Sequence, residues 1–399
     1  MKLDHDPRTL VPFPLLSDPG SYVACASDLG TDSAQRTYWL GLFRSQFESL
    51  AREALQDAVA RGLDEADARR RSDQARKHFF RTLEQIQRNP RGQGRLDIHR
   101  LSLLRQEALD RFEFLDPYWT TKQRENRTAL KMLPALLAEL DALSDRDRAQ
   151  RLIQGVFAGN MFDLGSPLTV QRFQARGADF HTTRRDLLPR PWFIDDLEPW
   201  LGRLEGGPPY RCAVLFVDNA GSDVLLGMIP LARELVRRGT HVILTANTRP
   251  ALNDITHAEL VPLMQNVCDL DPILEQALRE ERLELVPSGN GSALIDLREV
   301  SPALAASITR RGADLVVLEG MGRALESNFD ACFQCDALKV AMIKDPNVAQ
   351  NLGGELYDLV FRFELAAPER GTAPDRNLKG ISSVYPDADT LFDPQIHRD

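Results

Sequence analysis

The fold is decided by a short apolar run, Cys212-Ala-Val-Leu-Phe-Val217. An unbroken apolar stretch of this length is typical of a strand that is buried on both faces of a parallel sheet. Helical periodicity follows over residues 224–238, and Gly239 comes next, at a position where helix C-caps favour glycine. A second apolar run then begins, His241-Val-Ile-Leu-Thr-Ala246. Strand, helix and strand in this order predict a βαβ unit.

The same alternation continues toward the C-terminus and sets the fold class. We predict further strands at residues 283–286, 314–318, 338–343 and 356–363. Helices of about 12–20 residues between buried strands indicate an α/β fold with a doubly wound, mostly parallel sheet.

The preceding half of the chain carries a different pattern. Residues 1–30 are punctuated by proline, and apolar residues then recur at helical spacing up to about residue 155, without strand alternation. A proline-rich junction over residues 187–209 separates the two patterns. We therefore predict two domains. Residues 1–185 form a lead-in and an all-helical subdomain, and residues 186–399 form an α/β domain that binds metal and phosphate.

Composition narrows the function classes. The 399 residues include 58 acidic and 49 basic side chains, a net charge of −9. This argues against binding nucleic acid or anionic membranes through bulk charge. The N-terminus lacks the basic flank of a signal peptide, and no apolar run reaches the roughly 18–20 residues of a membrane span. We expect a cytoplasmic protein with a small-molecule partner, and we leave homo-oligomerisation open.

Polar residues follow the first two predicted strands directly. Asp218 and Asn219 come after the first strand. Asn247 comes after the second, with Asn253 and Asp254 a few residues further on. Ligands of open parallel sheets bind beyond the carboxyl ends of the strands, and carboxylate and amide oxygens suit a hard divalent cation. The alternative is that these side chains cap the helices that follow. With both strand tips considered together, a metal site and helix capping are about equally supported.

Glycine and basic residues follow the later strands. The motif Glu319-Gly-Met-Gly-Arg323 comes after the fourth strand, where Gly320 and Gly322 allow the backbone to approach a ligand. A helix that starts here offers free N–H groups to a phosphate, and Arg323 is a bidentate phosphate donor. Lys344 follows the fifth strand and could neutralise a phosphoryl group or be an ordinary surface lysine. The four tips together predict metal-assisted chemistry on a phosphate ester.

Other phosphatase and metal motifs are absent from the sequence. An aspartyl nucleophile of the haloacid-dehalogenase type needs a second carboxylate two residues after Asp218, where the chain has Ala220. There is no Walker A sequence and no His-Glu-x-x-His zinc motif. The pair Cys332-Phe-Gln-Cys335 is interpreted as structural, and we expect it to lie in the helix after Arg323.

The first strand tip, Phe216-Val-Asp-Asn-Ala-Gly-Ser-Asp223, resembles the signature of the damage-control metal-dependent phosphatases. The motif of residues 319–323 is similar to the mark of their subfamily II, which includes the domain fused to pantothenate kinase four in animals and free-standing plant enzymes. Further segments extend the resemblance to roughly residues 12–365: Phe13-Pro-Leu-Leu, Tyr22-Val-Ala-Cys25, Gly159-Asn-Met-Phe-Asp-Leu-Gly165, Arg190-Pro-Trp-Phe-Ile-Asp-Asp196 and Pro250-Ala-Leu-Asn-Asp-Ile-Thr256.

The resemblance implies a phosphatase that hydrolyses 4′-phosphopantetheine and its oxidised or sulfonated forms, which keeps damaged precursors out of coenzyme A. It implies a divalent metal (manganese, cobalt or nickel, with magnesium as a further candidate). The step that we expect is hydrolysis, in which a metal-bound water attacks phosphorus in line. Since no kinase segment precedes the phosphatase segments, we expect coupling to coenzyme A synthesis through shared metabolites. The alternatives are a phosphatase for sugar phosphates such as fructose 1-phosphate, and a non-catalytic protein that binds phosphometabolites.

The resemblance also assigns roles to individual residues. Asn160 and Asp163 of the helical half would complete the site from the other side, with a helix cap as the alternative. The predicted metal ligands are Asp218, Asn219 and Asp254. The predicted catalytic residues are Asp218, Asp254 and, as general base, Asp163. The predicted phosphate or substrate contacts are Asn160, Asn247, Asn253, Glu319, Gly320, Gly322, Arg323 and Lys344.

Overall fold

The computed structural model describes residues 9–92, 94–161, 180–185, 187 and 189–366. In this part of the chain, helices cover both faces of one sheet of seven strands. The predicted fold class is confirmed: the sheet is mostly parallel and doubly wound, and the N-terminal region is helical.

The sheet has the strand order β1-β7-β6-β5-β2-β3-β4. Strands β2 to β6 run parallel to one another, β7 runs antiparallel to β6, and β1 pairs in parallel with β7. The sequence did not predict the short strand β1 or the antiparallel direction of β7. The strands are β1 (Ile194–Asp195), β2 (Cys212–Phe216), β3 (His241–Ala246), β4 (Leu283–Pro287), β5 (Leu315–Glu319), β6 (Asp336–Met342) and β7 (Leu359–Glu364).

The helices of the described residues surround this sheet. Two of them are short π-helices, π1 (Asp223–Met228) and π2 (Met321–Glu326). The α-helices are α1 (Ser33–Ala60), α2 (Glu65–Arg88), α3 (Ile98–Asp110), α4 (Trp119–Asp141), α5 (Asp145–Met161), α6 (Phe180–Arg185), α7 (Leu197–Gly206), α8 (Ile229–Arg237), α9 (His257–Cys268), α10 (Pro272–Arg279), α11 (Pro302–Arg311) and α12 (Pro346–Leu352).

Two hydrophobic cores lie on opposite faces of the sheet. Alternate residues of β2 belong to different cores, because successive side chains of a strand point to opposite faces. Cys212 and Val214 pack with α1, α2, α3 and α11, and Ala213 and Leu215 pack with α4, α5, α7, α8 and α9. The helices of the N-terminal region therefore cover both faces of the sheet.

The segment after β2 differs from the single predicted helix over residues 224–238. It begins as π1 and continues as α8, which ends at Arg237. Gly239 follows the C-cap with φ of 88°, as the sequence predicts. Helix α5 packs closely on π1. A Cβ atom at Gly159 would lie 2.8 Å from the Cα of Asp223, so only glycine permits this approach.

The lead-in and the Cys332–Cys335 segment bind each other, which corrects one prediction. π2 ends at Glu326, and the cysteine pair lies in the loop before β6 rather than in a helix. Its backbone is extended because it pairs with the lead-in: Gln334 N donates to Leu15 O (2.9 Å) and Ser17 N donates to Cys332 O (3.0 Å). Of the described helices, none combines the length and apolar character that a membrane span requires.

Candidate functional site

The site lies where the strand order of the sheet reverses. From β2 the chain proceeds through β3 to β4 on one side, then returns to form β5 and β6 on the other side. The carboxyl ends of β2 and β5 diverge at this point, where open α/β sheets form a ligand crevice. Asp218 follows β2, Glu319 ends β5 and Lys344 follows β6, and all three side chains are buried. The structure therefore brings the predicted strand tips together.

Backbone hydrogen bonds hold the loop after β2 and the loop after β3, here called the acidic loops, side by side. Ala220 N donates to Asn253 O (2.9 Å), and Ile255 N donates to Asp218 O (3.0 Å). Asn219 and Asp254 form an isolated β-bridge. Asp218, Asn219 and Asp254, the predicted metal ligands, consequently lie on neighbouring backbone segments.

Helix α4 supports both loops from behind. The Lys122 ammonium, whose side chain is fully buried, donates to the Asp254 carbonyl (3.3 Å) and to Glu259 (2.8 Å), and it pairs with Asp116 (2.8 Å). One helical turn further on, Asn126 Oδ1 accepts from Gly221 N (2.7 Å). The positions of the acidic loops are thus tied to α4.

Three carboxylates converge at the switch point. Oxygen atoms of Asp218, Asp223 and Glu319 lie within 4.8 Å of one another. Asp223, at the start of π1, was quoted in the motif but received no predicted role. Its Oδ2 atom accepts from the backbone N (3.1 Å) and the side-chain Nδ2 (2.8 Å) of Asn219. The spacing of four residues, which places Asp223 one helical turn beyond Asn219, is the signal that could have identified it.

Burial shapes the electrostatics of this cluster. Desolvation raises the pKa of Glu319 well above its usual range, and the negative charge of Asp223 adds to that rise. Desolvation also raises the pKa of Asp223, against the opposing effects of hydrogen bonds from Asn219 and the charge of Lys344. Carboxylates this close to one another repel when both are ionised, so a cation between them is favourable.

Arg323 lies between the two aspartates predicted to hold a metal. Its Nη2 atom binds Asp254 Oδ2 at 2.8 Å, and its Nη1 atom forms an ion pair with Asp218 Oδ1. Asn247 Nδ2 donates to the same Asp254 oxygen at 2.9 Å. In this structure the guanidinium therefore bridges Asp218 and Asp254, while the other oxygen of Asp218 faces the carboxylate cluster.

Helix α5 brings Asn160 over the carboxylates. Its Nδ2 atom donates to Glu319 Oε1 at 2.6 Å and lies 3.4 Å from Asp218 Oδ2. The Lys344 ammonium donates to the Asn160 backbone carbonyl. The other residue predicted from this segment, Asp163, lies outside the described residues.

The glycine motif after β5 fits closely against the carboxylates. Gly320 has φ of 94°, and a Cβ atom there would lie 2.1 Å from Asp218 Oδ2. A Cβ atom at Gly322 would lie 2.5 Å from Ala293 O. The helix expected after this motif is only the six-residue π2. Asn253, the remaining predicted contact, is buried on the Asp254 loop.

A cavity of about 370 Å³ opens from these residues toward α1 and α3. Asp218, Asn219, Asp254 and Lys344 line the part of the cavity that is formed by the strand tips. The size falls within the usual range of small-molecule sites, about 300–1,000 Å³. The arrangement can accommodate an anionic group beside Lys344 and an organic group beyond it.

Comparison with known families agrees with this geometry. The damage-control phosphatase ARMT1-like domain matches residues 48–360 of the chain. The chain belongs to the damage-control phosphatase family. The resemblance inferred from the strand tips is therefore confirmed.

Named relatives of this chain come from animals and plants. A mouse protein named 4′-phosphopantetheine phosphatase is 35% identical, over 92% of this chain and 50% of its own length. An Arabidopsis thaliana protein named pantothenate kinase 2 is 41% identical, over 90% of this chain and 42% of its own length. The chain thus spans about half or less of these two relatives. A damage-control phosphatase of Arabidopsis thaliana is 37% identical and is covered over 97% of its length.

A solved structure shares the fold of this chain. The crystal structure of a DUF89 family protein from Pyrococcus horikoshii aligns with a TM-score of 0.57 at 15% identity. The alignment covers 81% of this chain and 96% of the other. At this identity the likeness concerns the fold.

The carboxylate cluster fits a divalent cation. Within the described part of the chain, two buried oxygen atoms of the cluster, Asp223 Oδ1 and Glu319 Oε2, have no hydrogen-bond partner, and neither has Oδ1 of the adjacent Asn160. Buried oxygens are normally satisfied, because leaving one unpaired costs roughly 1–3 kcal/mol. An all-oxygen donor set of carboxylates and an amide is the type that binds hard divalent ions.

Proposed function

We propose that this chain is a metal-dependent phosphatase that hydrolyses 4′-phosphopantetheine and its oxidised or sulfonated forms. The observation that carries the proposal is the cluster of three buried carboxylates, Asp218, Asp223 and Glu319. Of these, Asp218 also pairs with Arg323 and lines the same cavity as Lys344. The names of the mouse and Arabidopsis relatives support the reaction and the substrate. We further propose a cytoplasmic location, the predicted domain boundary near residue 185, and manganese, cobalt or nickel in preference to magnesium.

Asp218 is the proposed ligand common to two candidate sets. The sequence predicts Asn219 and Asp254 beside it, whereas Asp223 and Glu319 share the carboxylate cluster with it. A divalent cation bound there would supply Lewis-acid polarisation of the phosphoryl group. In either set Asp218 faces the cation from the β2 tip.

The remaining residues bind and orient the ester. Lys344, at the wall of the cavity, neutralises charge on the phosphoryl oxygens. Arg323 holds Asp218 and Asp254 in position and presents positive charge beside them. Asn160 orients Glu319 through the 2.6 Å hydrogen bond. Asp163 stays the predicted general base.

Phosphate release from 4′-phosphopantetheine tests the proposal. The chelated protein is assayed with manganese, cobalt, nickel and magnesium added singly, and turnover is expected only with metal. Asp218→Ala should abolish release while the protein unfolds cooperatively, and Asp330→Ala, at an exposed residue, should behave as wild type. Faster release of phosphate from fructose 1-phosphate would refute 4′-phosphopantetheine as the preferred substrate. Binding of 4′-phosphopantetheine without release of phosphate would refute the proposed hydrolysis.

The two candidate ligand sets are separated by metal affinity. Asp223→Asn and Asp254→Asn each remove one carboxylate with little change in shape. The variant with the larger rise in the dissociation constant of Mn²⁺, measured by calorimetry, identifies the set. Equal and unchanged affinities in both variants would reject both sets.

A further inference from the structure

The cavity above the carboxylates extends along one face of α1. Trp39, Leu42, Phe43 and Gln46 line it, at helical spacings of three, four and seven residues. With a rise of 1.5 Å per residue, the seven steps along the helix from Trp39 to Gln46 span about 10 Å. This lined face is longer than the ring of a hexose, and most of it is apolar.

Helix α3 forms the facing wall of the same cavity. Ile98, Ser102 and Arg105 line it from one face of the helix. The Arg105 guanidinium lies 5.1 Å from the centre of the Phe43 ring, and its Nη1 atom lies 3.4 Å from Gln46 Oε1. One amide, two hydroxyls (Ser45 and Ser102) and one guanidinium thus lie among the apolar side chains of this wall.

A wall of this composition discriminates between classes of ester. A sugar phosphate carries hydroxyl groups on all sides, and each loses hydrogen bonds to water against apolar side chains. A chain that alternates alkyl and amide groups can place its alkyl parts on Trp39 and Phe43 and its amides at Gln46 and Ser102. A site with few placed polar groups in apolar surroundings is the usual design for binding such a ligand.

We propose that the paired faces of α1 and α3 are the subsite for the organic arm of the ester, and that they select an extended, amide-bearing chain over a compact polyol. This inference rests on the proposed phosphatase function and adds the residues that set its specificity. The carboxylate end of the cavity binds the phosphoryl group, and the helical wall determines which alcohol follows it.

The test places bulk in the helical wall and leaves the carboxylate end unaltered. Ser102→Phe fills the cavity from α3. Glu107→Phe adds the same ring at an exposed position of that helix and serves as the control. The KM for 4′-phosphopantetheine measures binding of the whole ester, and competitive inhibition by inorganic phosphate in the same assay measures the carboxylate end alone.

Ser102→Phe is expected to raise the KM for 4′-phosphopantetheine at least about tenfold more than it raises the inhibition constant of phosphate. Gln46→Leu keeps the volume but removes the amide. It should shift the same ratio about threefold or more, and it tests the idea if Ser102→Phe does not fold. Glu107→Phe should leave the ratio as in wild type.

The outcomes separate the two proposals. If wild type releases phosphate but the ratio stays unchanged in both Ser102→Phe and Gln46→Leu, the subsite is wrong and the phosphatase stands. If wild type prefers fructose 1-phosphate over 4′-phosphopantetheine, both the proposed substrate and the proposed selectivity of the subsite are refuted. If no ester is hydrolysed with any metal, the phosphatase proposal fails and the subsite fails with it.

Discussion

Gly320→Ala tests the close fit between the glycine motif and Asp218. Gly320 has φ of 94° and ψ of 150°, a conformation that is essentially restricted to glycine. An added Cβ atom would lie 2.1 Å from Asp218 Oδ2, against about 3.4 Å for an ordinary contact. The carboxylate oxygen must therefore move by about 1.3 Å.

The magnitude follows from what holds Asp218 in place. Its Oδ1 atom is paired with Arg323, and its Oδ2 atom lies 3.3 Å from Asn219 Nδ2, so a shift breaks these contacts. Displacement of about 1 Å at a reacting group costs roughly 100-fold in rate. We expect a loss of kcat/KM of that order, together with weaker Mn²⁺ binding. The backbone strain itself should lower the free energy of unfolding by about 1–3 kcal/mol.

Gly239→Ala provides the matched control. Gly239 also has a positive φ, 88°, but no atom lies within 4 Å of an added Cβ there. Both variants are compared by urea unfolding, calorimetric Mn²⁺ titration and phosphate release. Gly239→Ala should lower the free energy of unfolding but leave Mn²⁺ affinity and phosphate release unchanged. Wild-type Mn²⁺ affinity and turnover in Gly320→Ala would refute the argument that this glycine makes room for the carboxylate.

Three further predictions concern stability and metal. Lys122→Met should lower the free energy of unfolding by roughly 3–5 kcal/mol, because it leaves the carboxylates of Asp116 and Glu259, which are only 11% and 12% exposed, without their cation. The exposed control Lys77→Met should change the free energy of unfolding by less than about 0.5 kcal/mol. Equal changes in the two variants, measured by urea unfolding, would contradict the stabilising role of the Lys122 ion pairs. In the chelated protein the raised pKa of Glu319 means that the folded state holds a proton which the unfolded state releases. Stability should be greatest below the ordinary glutamate pKa and should fall as pH rises through the raised pKa. Glu319→Gln should flatten this fall, and an unchanged pH profile of unfolding would exclude Glu319 as its source. Mn²⁺ at about 100 times its dissociation constant should stabilise the protein by about 2.7 kcal/mol, and a thermal shift of the same size in Asp218→Ala would place the ion elsewhere.

Much of the fold was predictable because its signals are local. The apolar runs at β2 and β3 are strands at the predicted positions, and Gly239 ends the helix between them. The Cys332–Cys335 segment was wrongly expected in a helix, since its backbone partners, Leu15 and Ser17, come from the distant lead-in. Short-range periodicity carries no information about such long-range pairing.

The candidate site was predictable to the same extent. Asp218, Glu319 and Lys344 were expected together because the carboxyl ends of parallel strands share one edge of the sheet. Asp223 was missed, since its direction depends on how π1 packs beneath α5. The position of Arg323 between Asp218 and Asp254 also could not be predicted, because neither aspartate is close to Arg323 in the sequence.

The sequence by itself determined the strands, their polar tips and hence the edge of the sheet at which the candidate site lies, because these depend on residues adjacent in the chain. Only the tertiary structure decided which carboxylates meet, what separates Asp218 from Asp254, and that faces of α1 and α3 enclose the space above them. Such contacts join residues far apart in the chain, so they follow from the packing of helices on both faces of the sheet rather than from any local pattern.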